Sequence, residues 1–114
     1  SNYKESLNLL LEVKNFDNKI FTKSGIMVGL GEEYLEIVEV LKDMKSANVD
    51  FVTIGQYLQP SIHHEKVHKF YSPDEFNNLY AFCKSLGLKM VSSSPMTRSS
   101  YHADEDFKKL KEAI

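Results

Sequence analysis

The sequence predicts an α/β fold in which three parallel strands alternate with helices. Apolar stripes at helical spacing recur between short apolar runs, and most of the connections between them are short. The apolar runs do not alternate strictly with polar residues, which is typical of strands that are covered on both faces. Three such strands leave a sheet edge without a partner, so we expect a piece of a larger (β/α) barrel or open sheet.

The elements follow in the order helix, strand, helix, strand, helix, strand, helix. The second helix begins with acidic residues, which the helix dipole favours. The third helix has the strongest start signal, because Ser72 and Glu75 form a capping box with Pro73 at the first helical position, and Gly87 ends it. The predicted helices are residues 3–15, 32–47, 73–86 and 104–113, and the predicted strands are residues 20–30, 51–55 and 88–91.

The composition excludes several classes of protein. The chain has 114 residues, and 14 Lys+Arg against 16 Asp+Glu leave a formal net charge of −2, which gives no basic field for nucleic acid or an anionic membrane. No apolar run approaches the length of a membrane span, and the first residues do not resemble a signal peptide, so we expect a cytoplasmic protein. The single cysteine, Cys83, lies on the apolar stripe of the third helix and is expected to be buried and inert.

The carboxyl ends of parallel strands carry functional loops, and the first of these ends is rich in glycine. The three ends are residues 29–32, 55–61 and 92–101. Glycine lets the backbone approach a ligand closely. Met27 and Val28 offer an apolar face to a purine ring. Glu32 is placed to tie the turn that follows the strand. The pattern matches neither the dinucleotide fingerprint nor a P-loop, and a plain strand-to-helix turn is the alternative.

The second and third ends are rich in polar residues. Gly55 followed by Gln56 and Tyr57 suits hydrogen bonding to a ligand. Three histidines come next, and we interpret them as a solvated loop because their spacing matches no zinc site; they are His63, His64 and His68. The third end is dense in serine, and it is either a polar loop that caps the last helix or a nucleophile site for which His102 is the base.

Four segments of the chain carry a family resemblance. Residues 23–32 read KSGIMVGLGE, residues 53–61 read TIGQYLQPS, residues 70–76 read FYSPDEF and residues 98–104 read RSSYHAD. In this order they resemble the C-terminal part of lipoyl synthase, a family of radical S-adenosylmethionine enzymes. The similarity extends over nearly the whole chain.

The resemblance implies that residues 1–114 are the C-terminal part of a TIM-like partial barrel, of which the N-terminal half is absent. The enzymes of this family insert two sulfur atoms at C6 and C8 of a protein-bound octanoyl group. Two four-iron four-sulfur clusters are implied: one cleaves S-adenosylmethionine to a 5′-deoxyadenosyl radical, and the other donates sulfur. The implied partners are an octanoylated lipoyl-carrier domain, an electron donor and the missing half of the barrel.

The resemblance also implies roles for individual residues. The residues expected to contact the nucleoside of S-adenosylmethionine are Met27, Val28, Gly29, Gln56, Tyr57 and Leu58. Ser99 is the expected iron ligand on the sulfur-donating cluster, with Ser100 as the alternative. A serine oxygen is a weaker partner for iron than a thiolate, which suits a cluster that is consumed. Arg98 would order the closing loop or neutralise cluster charge.

The sequence departs from the family at the cysteine ligands of both clusters, which are absent. The chain alone is therefore expected to be inactive. A second hypothesis is a non-catalytic α/β fragment that binds a nucleoside or a partner domain. A third, a stand-alone hydrolase that uses Ser99 or Ser100 with His102, lacks the nucleophile-elbow motif.

Overall fold

The computed structural model describes residues 2–95, and within them three helices alternate with three strands. The helices are α1 (Asn2–Phe16), α2 (Tyr34–Ser46) and α3 (Pro73–Ser85), and the strands are β1 (Lys23–Val28), β2 (Phe51–Gln56) and β3 (Met90–Ser93). The predicted alternation is confirmed. The last predicted helix, residues 104–113, lies outside the described residues.

The three strands form one parallel sheet in the order β1-β2-β3. Lys23 lies opposite Phe51 at the start of the first pair of strands, and Phe51 lies opposite Met90 in the second. Parallel neighbours need a crossover connection, which α2 and α3 supply. The three strands therefore end at one side of the sheet, which we call the carboxyl edge, and begin at the opposite side, the amino edge.

The hydrophobic core lies between the helices and one face of the sheet. Alternate strand positions, among them Val28, Ile54 and Val91, are fully buried there against the helices. Lys23 and Met27 of β1 are exposed on the opposite face, which we call the open face. On this same face Met90 and Ser92 of β3 are buried, so the face is exposed at β1 and covered at β3. Residues 2–95 thus form a partial α/β fold whose sheet is packed on one face and only partly covered on the other.

Two helices end in the same hydrogen-bonding motif. At the end of α3, Gly87 adopts a φ of 93° and the N–H of Leu88 donates to the carbonyl of Cys83 at 3.2 Å, which is a Schellman motif. Asn48 takes the place of glycine at the end of α2, with a φ of 58°. The predicted helix end at Gly87 is thus confirmed, and Leu88 belongs to the helix end and not to the strand.

The third strand lies two residues later in the chain than the sequence predicts. It covers Met90–Ser93 where residues 88–91 were expected, so two serines assigned to a turn lie in the sheet. Ser92 is fully buried, and the buried hydroxyl of Ser93 donates to the carbonyl of Phe76 at 2.7 Å. Serine is tolerated in the core because it is small and its hydroxyl finds an acceptor there.

Lysine ammonium groups bind backbone carbonyls at the amino edge of the sheet. One lysine in the last turn of each helix donates to a carbonyl beyond it: Lys14 to Ile20 at 2.6 Å, Lys45 to Gly87 at 3.4 Å and Lys84 to Lys89 at 2.8 Å. Lys14 is also buried in an ion pair with Asp50 at 2.5 Å. Positive charge at the carboxyl end of a helix stabilises the helix dipole. A groove of about 740 Å³ lies at this edge, and Lys14, Lys45 and Asp50 are among its lining residues. We therefore assign these lining groups to the stability of the fold.

None of the three helices in the described part of the chain has the length and apolar composition needed to cross a bilayer.

Cys83 is predicted to be unreactive in the folded protein. It is fully buried in α3, and burial raises the pKa of its thiol to about 12. At about pH 8 a disulfide reagent should therefore modify the thiol only in denaturant, or at the rate of unfolding. Rapid stoichiometric modification of the native protein would contradict the described packing of α3.

Candidate functional site

The turn between β1 and α2, residues 29–32, is held by one carboxylate, and we call it the glycine turn. Gly29 and Gly31 have φ values of 107° and 98°, which glycine adopts without strain. The carboxylate of Glu32 accepts hydrogen bonds from the N–H of Gly29 at 3.0 and 3.1 Å and from the N–H of Leu30 at 3.1 Å. The sequence-based prediction that Glu32 ties this turn is confirmed.

The long loop between β2 and α3, residues 57–71, crosses the glycine turn, and we call it the strap. The N–H of Tyr57 donates to the carbonyl of Val28 at 2.8 Å, and the N–H of His68 donates to the carbonyl of Gly29 at 2.7 Å. Its start and its end are therefore both attached to the end of β1. Two of the three strand ends that the sequence singles out thus meet at the carboxyl edge.

Gln56, the last residue of β2, joins the two ends of the strap. Its buried side chain donates from Nε2 to the carbonyl of Tyr57 at 3.0 Å and to that of Lys69 at 2.9 Å. Its Oε1 accepts the N–H of Tyr71 at 2.9 Å. Both amide hydrogens are thus used within the protein, and the oxygen keeps one lone pair for any further partner.

Gly29 and Gln56 occupy complementary space. A Cβ at position 29 would meet the side-chain amide of Gln56 and would lie 2.5 Å from the carbonyl oxygen of Lys69. The glycine is thus required by its φ and by the approach of the strap. At Gly31 a Cβ would meet only the ring of His68, at 3.3 Å.

Tyr71 connects the end of the strap to the glycine turn. Its hydroxyl donates to Glu32 at 3.1 Å, its ring lies 6.0 Å from that of Phe76, and the ammonium of Lys69 lies 4.6 Å from the ring centre. Burial raises the pKa of Tyr71 to about 12, and the hydrogen bond and charge of Glu32 and the charge of Glu75 act in the same direction. The hydroxyl is therefore a stable hydrogen-bond donor at neutral pH.

The three nucleoside contacts expected on β1 lie in different surroundings. Met27 is 53% exposed on the open face, whereas the side chain of Val28 is fully buried in the core. Gly29 is buried, with its N–H on Glu32 and its carbonyl on His68. Met27 is consequently the side chain of this group that a ligand can reach, because successive strand residues point to opposite faces.

The three nucleoside contacts expected on β2 and the strap also lie in different surroundings. Gln56 is engaged as described above, and Tyr57 is half-buried with its hydroxyl donating to the carbonyl of Glu65 at 2.7 Å. Leu58 is 61% exposed and available to a ligand.

The third strand end reaches the carboxyl edge with Ser94, whose N–H donates to the carbonyl of Ile54 at 3.2 Å. The residues expected to serve the sulfur-donating cluster, Ser99 with its alternative Ser100 and Arg98, lie outside the described residues. The same holds for His102.

Residues 2–95 do not provide a ligand set for an iron–sulfur cluster. No group of three His, Cys, Asp or Glu side chains in this range is arranged to hold a metal ion, and Cys83 is buried in α3. The histidines of the strap are exposed, and the Nδ1 of His64 lies 2.8 Å from the hydroxyl of Ser61.

A groove of about 410 Å³ lies beside the glycine turn, between the end of β1 and α2. Its lining is mostly apolar and includes Met27, Leu30, Ile37 and Val40, together with two acidic residues, Glu32 and Glu36. An apolar wall beside exposed turn backbone suits a flat heterocycle such as a nucleobase.

No model of a known protein family matches the chain.

Tyr71 is the residue at this edge that the sequence-based interpretation missed. Its partner Glu32 lies 39 residues earlier, and no local pattern links the two. The capping box of α3, which begins at Ser72, fixes the position of Tyr71 directly before the helix and is the available signal.

Substitution of Gly29 by alanine is predicted to cost more stability than the same change at Gly31. Both positions share the backbone strain of a positive φ, but only a Cβ at position 29 also collides with Gln56 and Lys69. We expect a loss of about 2–4 kcal/mol for Gly29→Ala and about 1–2 kcal/mol for Gly31→Ala in urea unfolding. Equal losses would show that the strap does not approach Gly29 as described.

Tyr71→Phe is predicted to change how stability depends on pH. The pKa of Tyr71 is raised from 10.0 to about 12 in the folded protein, so its contribution is fully present below pH 10.0 and is lost as the pH rises to about 12. The wild type should lose stability relative to Tyr71→Phe in this window. Tyr34→Phe, at an exposed tyrosine, is the matched control. A difference in stability between wild type and Tyr71→Phe that stays constant from pH 9 to about 12 would refute the hydrogen bond from Tyr71 to Glu32.

Proposed function

We propose that this chain is the C-terminal part of a lipoyl synthase and contributes one wall of the S-adenosylmethionine site. The observation that carries the proposal is the glycine turn. The segment KSGIMVGLGE, which resembles the family at residues 23–32, forms a strand and a turn held by Glu32 at the carboxyl edge of a parallel sheet, directly before the N-cap of α2. Ligands of parallel α/β folds bind at this edge.

The exposed groups at this edge suit a nucleoside. Met27, Leu30 and Leu58 present apolar surface, and the groove beside the glycine turn has room for a planar ring. Val28 would act from the core through its backbone carbonyl, which holds the strap, and not through its side chain. In this proposal the strap and the glycine turn position the adenine, and the apolar side chains shield it from water.

The reaction would require groups that residues 2–95 do not provide. S-adenosylmethionine would supply the radical that takes hydrogen from the octanoyl chain when the complete enzyme binds it. The cluster ligands would come from the N-terminal half of the barrel and, for the sulfur-donating cluster, from Ser99 or Ser100. The chain itself contributes binding and orientation of the cofactor, and it is proposed to be inactive when isolated.

The test is expression of the full-length protein that contains this chain, reconstituted with iron and sulfide. With S-adenosylmethionine, a reductant and an octanoylated carrier domain, mass spectrometry should detect a carrier-bound product with two additional sulfur atoms. 5′-Deoxyadenosine should form alongside it, because each C–H bond that is replaced needs one hydrogen abstraction. Absence of both products from a fully reconstituted protein would contradict the proposal.

Ser99→Ala and Ser100→Ala form a matched pair within this experiment. The account predicts that Ser99→Ala lowers the iron content and abolishes sulfur insertion, whereas Ser100→Ala retains both. The reverse result would transfer the ligand role to Ser100, and wild-type behaviour of both variants would remove serine ligation from the proposal. Binding of S-adenosylmethionine with no turnover in any preparation would favour the non-catalytic nucleoside-binding alternative.

A further inference from the structure

Within residues 2–95, the ends of the strap are bonded to the sheet and to the glycine turn, and the hydrogen bonds of its middle stay within the strap. Tyr57 holds its start to β1, and His68 and Tyr71 hold its end to the glycine turn. One of these bonds runs from Gln59 Nε2 to the carbonyl of His64, at 3.1 Å. Ile62, at its tip, is 88% exposed. A segment of this kind opens by losing its end contacts and not by unfolding the sheet.

Two side chains reinforce the backbone bond from His68 to Gly29 at the end of the strap. Gln56 reaches from β2 to the backbone of Lys69 and Tyr71, with one bond in each direction. The hydroxyl of Tyr71 reaches Glu32, which in turn holds the N–H groups of Gly29 and Leu30. The amide of Gln56 and the carboxylate of Glu32 thus form one continuous network that links β2, the strap and the glycine turn.

We propose that Gln56 and Tyr71 are positioning residues that latch the strap across the glycine turn, so that release of the latch loosens the turn that lines the proposed nucleoside site. This inference depends on the proposed function only for the identity of the ligand. When the end of the strap is released, the carbonyl of Gly29 loses the N–H of His68, and Glu32 loses one of its donors. The glycine turn then no longer has a single geometry.

Hydrogen–deuterium exchange of the complete chain tests the latch. In Gln56→Glu the two carbonyls that accept from Nε2 would face a carboxylate, so the amides of His68, Tyr71 and Gly29 should exchange about tenfold to a hundredfold faster. The amides of Val52 and Ile54, in the centre of the sheet, should keep their protection. Gln59→Glu adds the same charge on the exposed part of the strap and should leave all of these amides unchanged.

Tyr71→Phe is the second variant, and it introduces no charge into the protein. It removes the bond to Glu32 and retains the ring beside Phe76, so it should accelerate the amides of Gly29 and Leu30 and leave Val52 protected. Unchanged exchange in Tyr71→Phe, equal acceleration in Gln59→Glu and Gln56→Glu, or equal acceleration throughout the sheet would overturn the latch. If Gln56→Glu does not fold, Tyr71→Phe decides the question alone.

The link to the nucleoside site is measured separately, by titration of S-adenosylmethionine into the reconstituted full-length protein. Tyr71→Phe should weaken binding several-fold, whereas Tyr34→Phe should not. Local exchange that accelerates without any change in affinity would overturn the coupling. If the wild type binds no S-adenosylmethionine while the exchange result holds, the proposed function fails and the latch stands.

Discussion

The side-chain amide of Gln56 is the interaction on which the carboxyl edge depends. It contacts both ends of the strap, and it uses two donors and one acceptor to do so. Its space is available because position 29 lacks a Cβ. A carboxylate cannot donate to the two carbonyls, and an aliphatic side chain would remove both hydrogen bonds. The sequence thus couples a glycine on β1 to a glutamine on β2.

The two edges of the sheet are built from different interactions. At the amino edge, lysines from the helix ends bind carbonyls, and Lys14 pairs with Asp50, which restrains the chain between α1 and β1. At the carboxyl edge the hydrogen bonds run between a turn and a loop, and exposed apolar side chains such as Met27 and Leu58 remain. A division of this kind, with stability at one edge and loops with accessible groups at the other, is typical of parallel α/β proteins.

Local signals predict much of the fold, and contacts between distant residues account for what they miss. The capping box at Ser72 and the glycine at position 87 mark the ends of α3 because each acts through its own neighbours. The position of β3 was wrong by two residues because Ser93 is satisfied by Phe76, 17 residues earlier. The bond from Tyr71 to Glu32 is equally non-local. The opposite directions of Met27 and Val28 follow from strand alternation, which the interpretation of both as adenine contacts did not use.

If the carboxyl edge binds a nucleoside as proposed, amide chemical shifts of the isotope-labelled chain will report the binding. In a titration with S-adenosylmethionine, even weak binding in fast exchange should shift the amides of Met27, Gly31 and Leu58. The amides of Asn18 and Asn48, at the amino edge, should stay in place. Shifts confined to the amino edge, or none at the carboxyl edge at saturating ligand, would contradict the account.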